Sequence, residues 1–163
     1  MSHELQGKPF YFDDCVVGAE HAAANHNLSA KEIIEFASVW DPQPWHIDEE
    51  LARASPFGGL TACSAHIFSI FCITSQRWQS GVVQQAIAGL GFDEMRMHQP
   101  VYAGDTLRCV SIVDAARASA SKPDRGIVIY HTQLINQHNE VVFSIKASTM
   151  MARDPAKIRG LTQ

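Results

Sequence analysis

Between Arg53 and Arg77 the chain carries no Lys, Arg, Asp or Glu, and this uncharged stretch limits the available folds more than any other feature. Its centre, residues 60–73, is apolar nearly all the way round through Ala62, Cys63, Ile67, Phe68, Ile70, Phe71 and Ile73. A helix with no polar face has to be covered on most sides. Lipid is a poor cover here. A bilayer demands roughly 20 apolar residues, whereas this run is shorter and includes Ser64, His66 and Ser69. The expectation is a buried central helix over 61–78, set off by the chain break Pro56-Phe57-Gly58-Gly59.

What covers the helix comes afterwards. Residues 87–97, 106–117, 126–136 and 140–151 read as strands, the last two joined by a hairpin turn at Gln137, His138 and Asn139. In the final strand Val141, Phe143, Ile145 and Ala147 alternate with Ser144, Lys146 and Ser148, the period-two pattern of a sheet with one buried face. One buried helix followed by a run of antiparallel strands is an α+β layout, with the helix packed on a face of the sheet. With no internal repeat and no linker, the 163 residues make one domain, its core at about 10–152 between short polar tails.

Upstream, residues 10–18 read as a loop or short strand and 21–28 as a strand. Ser29 and Glu32 form a capping box at the start of a helix whose apolar face is Ile33, Ile34, Phe36 and Ala37. Pro42 stops it, because a residue preceding proline disfavours the helical region. Residues 41–47 are then a stiff turn braced by Pro42 and Pro44. Asp48 caps a further short helix with Glu49 and Glu50 in its first turn.

Composition narrows the function. A formal net charge of −4 without a Lys/Arg cluster argues against nucleic-acid and membrane-surface partners. Cys15, Cys63, Cys72 and Cys109 lack Cys-x-x-Cys spacing, so neither zinc nor a disulfide framework is indicated. The eight histidines show no ligand pattern, so no metal is expected. Reduced thiols, and residues 1–9 that lack the form of a signal peptide, fit a cytoplasmic protein.

The chemistry lies in Phe36-Ala37-Ser38-Val39-Trp40-Asp41-Pro42-Gln43-Pro44-Trp45-His46-Ile47-Asp48, followed by Pro56-Phe57-Gly58-Gly59-Leu60 and, downstream, Pro100-Val101-Tyr102-Ala103-Gly104-Asp105-Thr106-Leu107. These segments resemble the MaoC-like dehydratases, which include the (R)-specific enoyl-CoA hydratases, over nearly the whole chain. The resemblance implies a hotdog fold, a long central helix wrapped by a curved antiparallel sheet, assembled as a homodimer or a dimer of dimers. It implies a hydro-lyase acting on an enoyl- or 3-hydroxyacyl-thioester, an acyl-CoA or related acyl-thioester. Coenzyme A enters only as part of the substrate, with no separate cofactor. Asp41 and His46 match the motif positions of the acid–base pair. A carboxylate and an imidazole close together can divide proton removal from water and proton delivery to carbon. The first turn of the central helix at Cys63 and Ser64 is implied to hold the thioester oxygen.

Several positions depart from the family pattern. Trp40 and Gln43 replace its glycine and asparagine, Cys63-Ser64 replaces His-Gly, and Cys72 stands where some hydratases have a serine. His66, one turn into the central helix, is a substrate-binding candidate shared with some relatives, although a hydrogen-bonded core histidine is the plainer reading. Arg125, in the loop Ser121-Lys122-Pro123-Asp124-Arg125-Gly126, is a candidate contact for coenzyme A phosphates against the simpler reading of a solvated turn. Two other functions stay open on the same fold: thioester hydrolysis and non-catalytic acyl-thioester binding.

Overall fold

The computed structural model describes residues 7–159; residues 1–6 and 160–163, most of the expected polar tails, lie outside the described residues. In chain order the elements are β1 (Lys8–Phe10), a 3-10 turn (Phe12–Asp14), β2 (Glu20–Ala22), β3 (His26–Asn27), α1 (Ala30–Trp40), α2 (Pro44–Ile47), α3 (Glu49–Ala54), α4 (Ser64–Thr74), β4 (Val82–Gln84), β5 (Ala86–Met97), β6 (Thr106–Ala118), β7 (Arg125–Ile135), β8 (Val141–Ala152) and α5 (Pro155–Arg159).

The four long strands and β2 form an antiparallel sheet in the order β2-β6-β7-β8-β5, with β3 also on β6. Pairing of β5 with β8 shifts register three times, and Glu94 sits at a φ of 51°. Each extra residue bends the strand and raises its twist, so the sheet curls. Its concave side takes α4. Ile67, Ile70 and Phe71 share one core with Val128, Tyr130, Phe143, Ile145 and Ala147, and the rings of Phe71 and Phe143 lie 5.8 Å apart. Burying an aliphatic side chain of this kind contributes about 1.5–3 kcal/mol. This is the hotdog fold.

Several boundaries differ from the sequence expectation. The central helix is shorter than 61–78. Residues 60–62 are drawn into extended backbone by Ala62 N donating to Val101 O (2.8 Å) and Ala103 N donating to Leu60 O (3.1 Å). At the other end Trp78 bridges to Ala23. The strand at 21–28 is split into β2 and β3. The stiff turn at 41–47 contains a helical turn, α2, because Pro44 at its first position supplies a φ already suited to helix. The parallel pair β1–β4 and α5 were not anticipated. In β8 both faces are buried near its start, since Val142 is as enclosed as Phe143. The capping box is half formed: Ser29 Oγ accepts from Glu32 N at 3.1 Å, but the Glu32 carboxylate turns to two histidines instead.

Phe12 lies directly over Gly126 at the start of β7, and a Cβ there would run into the Phe12 ring. Gly126→Ala is expected to lower stability by about 1–3 kcal/mol through overpacking. Chemical denaturation of the two proteins side by side checks this, and an unchanged midpoint would contradict the packing described.

Candidate active site

Helix α1 delivers the first residue. Ser29 caps its start, and at its end Asp41 is the last residue to donate into the helix, N to Ala37 O at 2.8 Å. The Asp41 carbonyl accepts from Gln43 N at 2.8 Å, turning the chain into α2. That single turn carries His46, whose backbone N donates to Gln43 O at 2.9 Å. Asp48 closes the segment as the cap of α3, with Oδ1 accepting from Glu50 N and Leu51 N at 2.9 Å, the structural role read from the sequence. Two prolines and three short-range hydrogen bonds thus fix the path between Asp41 and His46.

The imidazole of His46 is buried and held from both sides. Nδ1 lies 2.6 Å from the carbonyl oxygen of Thr61, which only accepts, so Nδ1 carries the proton. Thr61 Oγ1 stands 3.3 Å from the same nitrogen. Nε2 receives the indole N–H of Trp45 at 3.1 Å, which only donates, so Nε2 presents its lone pair. The neutral ring is therefore fixed as one tautomer.

Thr61 belongs to the stretch that leads into α4. Its residues are pinned to 101–103 by the ladder described above, and Thr61 itself bridges to Tyr102. Tyr102 OH donates to Phe57 O at 2.9 Å. The turn opposite is braced by buried Asp105, which accepts from Tyr102 N and from Gln137 Nε2, both at 2.8 Å. Gly104 there has a φ of +95°, where a side chain would be strained. Cys63, the N-cap of α4, makes no side-chain capping bond. The first N–H groups of an α-helix have no partner inside it, so those at Ser64 are open to a ligand oxygen.

Asp41, His46, Cys63 and Ser64 all line one cleft of about 340 Å³, together with Phe57, Thr61 and Ile67 on one wall and Met97, His98 and Pro100 on the other. The cleft combines a carboxylate, an imidazole of defined tautomer and a helix N-terminus, which suits proton transfer beside a developing oxyanion.

The other predicted residues stand elsewhere. Cys72 lines a second, mostly apolar cavity of about 220 Å³ farther along α4, with Phe71, Trp78, Phe92 and Tyr130; burial pushes its thiol pKa up. His66 is buried outside both cavities. Its Nε2 lies 3.3 Å from Glu32 Oε1, an oxygen that also takes His26 Nε2 at 2.8 Å, and its ring stacks on Phe36 at 4.4 Å. Burial pushes its pKa down, and the Glu32 hydrogen bond offsets this in part. Arg125 does not reach the cleft. It pairs with Ala152, whereas the cleft residue His98 bonds the backbone of Val142. Ten residues of β8 separate the two, on the order of 30 Å. Its guanidinium is gripped by Asp124 through two hydrogen bonds of 2.8 and 2.9 Å.

Sequence reasoning missed Trp45, Thr61 and His98. Thr61 acts through its backbone carbonyl, which leaves no trace in residue type. His98 gave one usable signal, its place just before the Pro100-Val101 turn. Among the described residues no three His, Cys, Asp or Glu side chains cluster as a metal site, and no helix is long and apolar enough to cross a membrane.

Residues 15–145 match the family described as the FAS1-like dehydratase domain region. The crystal structure of a MaoC-like dehydratase from Rhodospirillum rubrum is similar at 36% identity, covering 90% of this chain and 99% of that one, with a TM-score of 0.82. An uncharacterized protein, YdeM, from Bacillus subtilis is 28% identical over 142 residues, 86% of this chain and 98% of its own. The mesaconyl-CoA hydratase of Cereibacter sphaeroides is 32% identical over 96 residues, 59% of this chain but 27% of that protein.

His66 supplies a pH signature. A histidine whose folded pKa lies below its ordinary value is more readily protonated when unfolded, so its contribution is present above about pH 6.5 and is lost as pH falls below it. His66→Gln removes the titrating group. Denaturation midpoints of wild type and variant should diverge less at pH 5 than at pH 7.5; a constant difference would show that His66 does not titrate this way.

Proposed function

The chain belongs to the MaoC-like dehydratases, and on that footing we propose that it adds water to, or removes it from, an α,β-unsaturated or 3-hydroxyacyl thioester, with Asp41 and His46 sharing the proton transfers. The observation that carries this reading is the shared cleft, in which both side chains meet the uncapped first turn of α4. In the hydration direction one of the pair takes a proton from water as its oxygen bonds to the β-carbon. The double-bond electrons move toward the thioester carbonyl, and the proton taken from water is handed on through the pair to the α-carbon, which returns both residues to their starting state. Water is thereby added across the double bond with nothing left over. Negative charge on the thioester oxygen during this step is met by the N–H groups at Ser64. A coenzyme A thioester as substrate is supported by the name of the Cereibacter sphaeroides relative. Contact between Arg125 and the phosphates within the same subunit is not part of this reading, given its distance from the cleft.

The assembly is proposed to be a homodimer or a pair of dimers. β5 is an edge strand whose Leu90, Phe92, Met95 and Met97 are all more than a third exposed. Met97 also forms a cleft wall, so a partner covering β5 would close the site. An unpaired apolar edge invites such pairing. Light scattering at micromolar concentration is expected to give at least twice the chain mass, and a monodisperse monomer would end the proposal.

Crotonyl-CoA is the first substrate to try, with double-bond absorbance and free thiol followed together. Loss of absorbance without thiol is the expected outcome; thiol release would point to thioester hydrolysis, and neither to acyl-thioester binding alone. Asp41→Asn and His46→Gln should each reduce turnover by about 10²–10⁴-fold. The double variant should be little worse than either, because groups acting as a unit are not additive. Near-full turnover in both single variants would remove the mechanism.

A further inference from the structure

Both nitrogens of His46 are engaged in hydrogen bonds. Nδ1–H donates to Thr61 O, and the Trp45 indole N–H donates to the Nε2 lone pair. Imidazole nitrogen has a single in-plane lone pair, so Nε2 cannot accept strongly from water while it holds the indole. Trp45 is half-buried and packs 6.1 Å from Phe57, a wall of the cleft. Its backbone is held separately, through the carbonyl that accepts from Thr61 N at 3.3 Å. The ring can therefore leave Nε2 without the chain path between Asp41 and His46 being undone.

We infer that Trp45 is a positioning residue that caps His46: its indole holds the imidazole in the Nδ1–H form and takes up the Nε2 lone pair, so proton transfer through His46 begins only when Trp45 yields that bond. The inference rests on the reading of His46 as an acid–base group. The indole N–H, which can only donate, bonds the one in-plane lone pair that the proposed proton transfer needs.

The net value of such a hydrogen bond, about 0.5–1.5 kcal/mol, corresponds to roughly 2–13-fold in a rate or equilibrium. Trp45→Phe keeps a ring against Phe57 and deletes the N–H. In imidazole ¹⁵N spectra of the ligand-free protein, the His46 Nε2 resonance should move toward that of an unbonded lone pair, while Nδ1 stays protonated on Thr61. Diethyl pyrocarbonate, which acylates free imidazole lone pairs, should modify His46 about 2–13-fold faster in the variant, with His98 as the internal reference in peptide mass spectra. With crotonyl-CoA the variant should show a similar gain in kcat/KM carried by KM.

Unchanged Nε2 shift, unchanged acylation of His46 or a fall in kcat/KM would each overturn the inference. Should the variant not fold, the wild type decides: scalar coupling across the hydrogen bond between indole Nε1 and His46 Nε2 supports the cap, and its absence refutes it. If the spectra and the acylation respond but the wild type turns over no enoyl-CoA, the cap stands and the proposed function falls.

Discussion

Helix α4 carries no charge, and burying its apolar face of Ile67, Ile70 and Phe71 is the constraint around which the rest of the molecule is arranged. The sheet has to curl to cover it, which the register shifts in β5 allow. Curling brings the far end of β5 over the N-terminus of the helix, where His98 and Pro100 become the wall opposite Asp41 and His46. The cleft is thus a by-product of burying an uncharged helix: its first turn, whose N–H groups need an acceptor, opens into it.

Legibility in the sequence followed the range of the interactions involved. The stretch from Ser29 to Asp48 was readable because its capping serine, its prolines and its second cap act within a few residues. The same is true of the final strand, whose alternation is local. Readings went astray where a distant partner decided the outcome. The extended form of residues 60–62 depends on 101–103, and the Glu32 side chain left its expected capping bond for His26 and His66. Arg125, read as part of a loop, opens β7, and its distance from the cleft follows only from the register of β7 on β8. The tautomer of His46 rests on a backbone carbonyl and on its immediate neighbour, and neither contact can be inferred from residue type.

Asp41 and His46 are supported in opposite ways. Asp41 is placed by a helix end, so its position inherits the rigidity of α1. His46 is placed by hydrogen bonds to its ring, so its orientation depends on the loop at Thr61 and, through that loop, on the Asp105 turn. A shift of that turn would leave the carboxylate where it is and rotate the imidazole.

Asp105 extends this dependence to an unexpected place. Gln137, in the β7–β8 hairpin turn, donates to Asp105 with its amide N–H and accepts from Thr106 N with its amide oxygen. Hairpin tips are where chains ordinarily accept insertions, tags and linkers without harm. Here the tip is a strut beneath the turn that steadies the Thr61 loop. A fusion partner grafted between Gln137 and Asn139 would therefore load the cleft from outside. The β6–β7 connection, at the other end of the sheet beside Lys122, is the better place to open this chain.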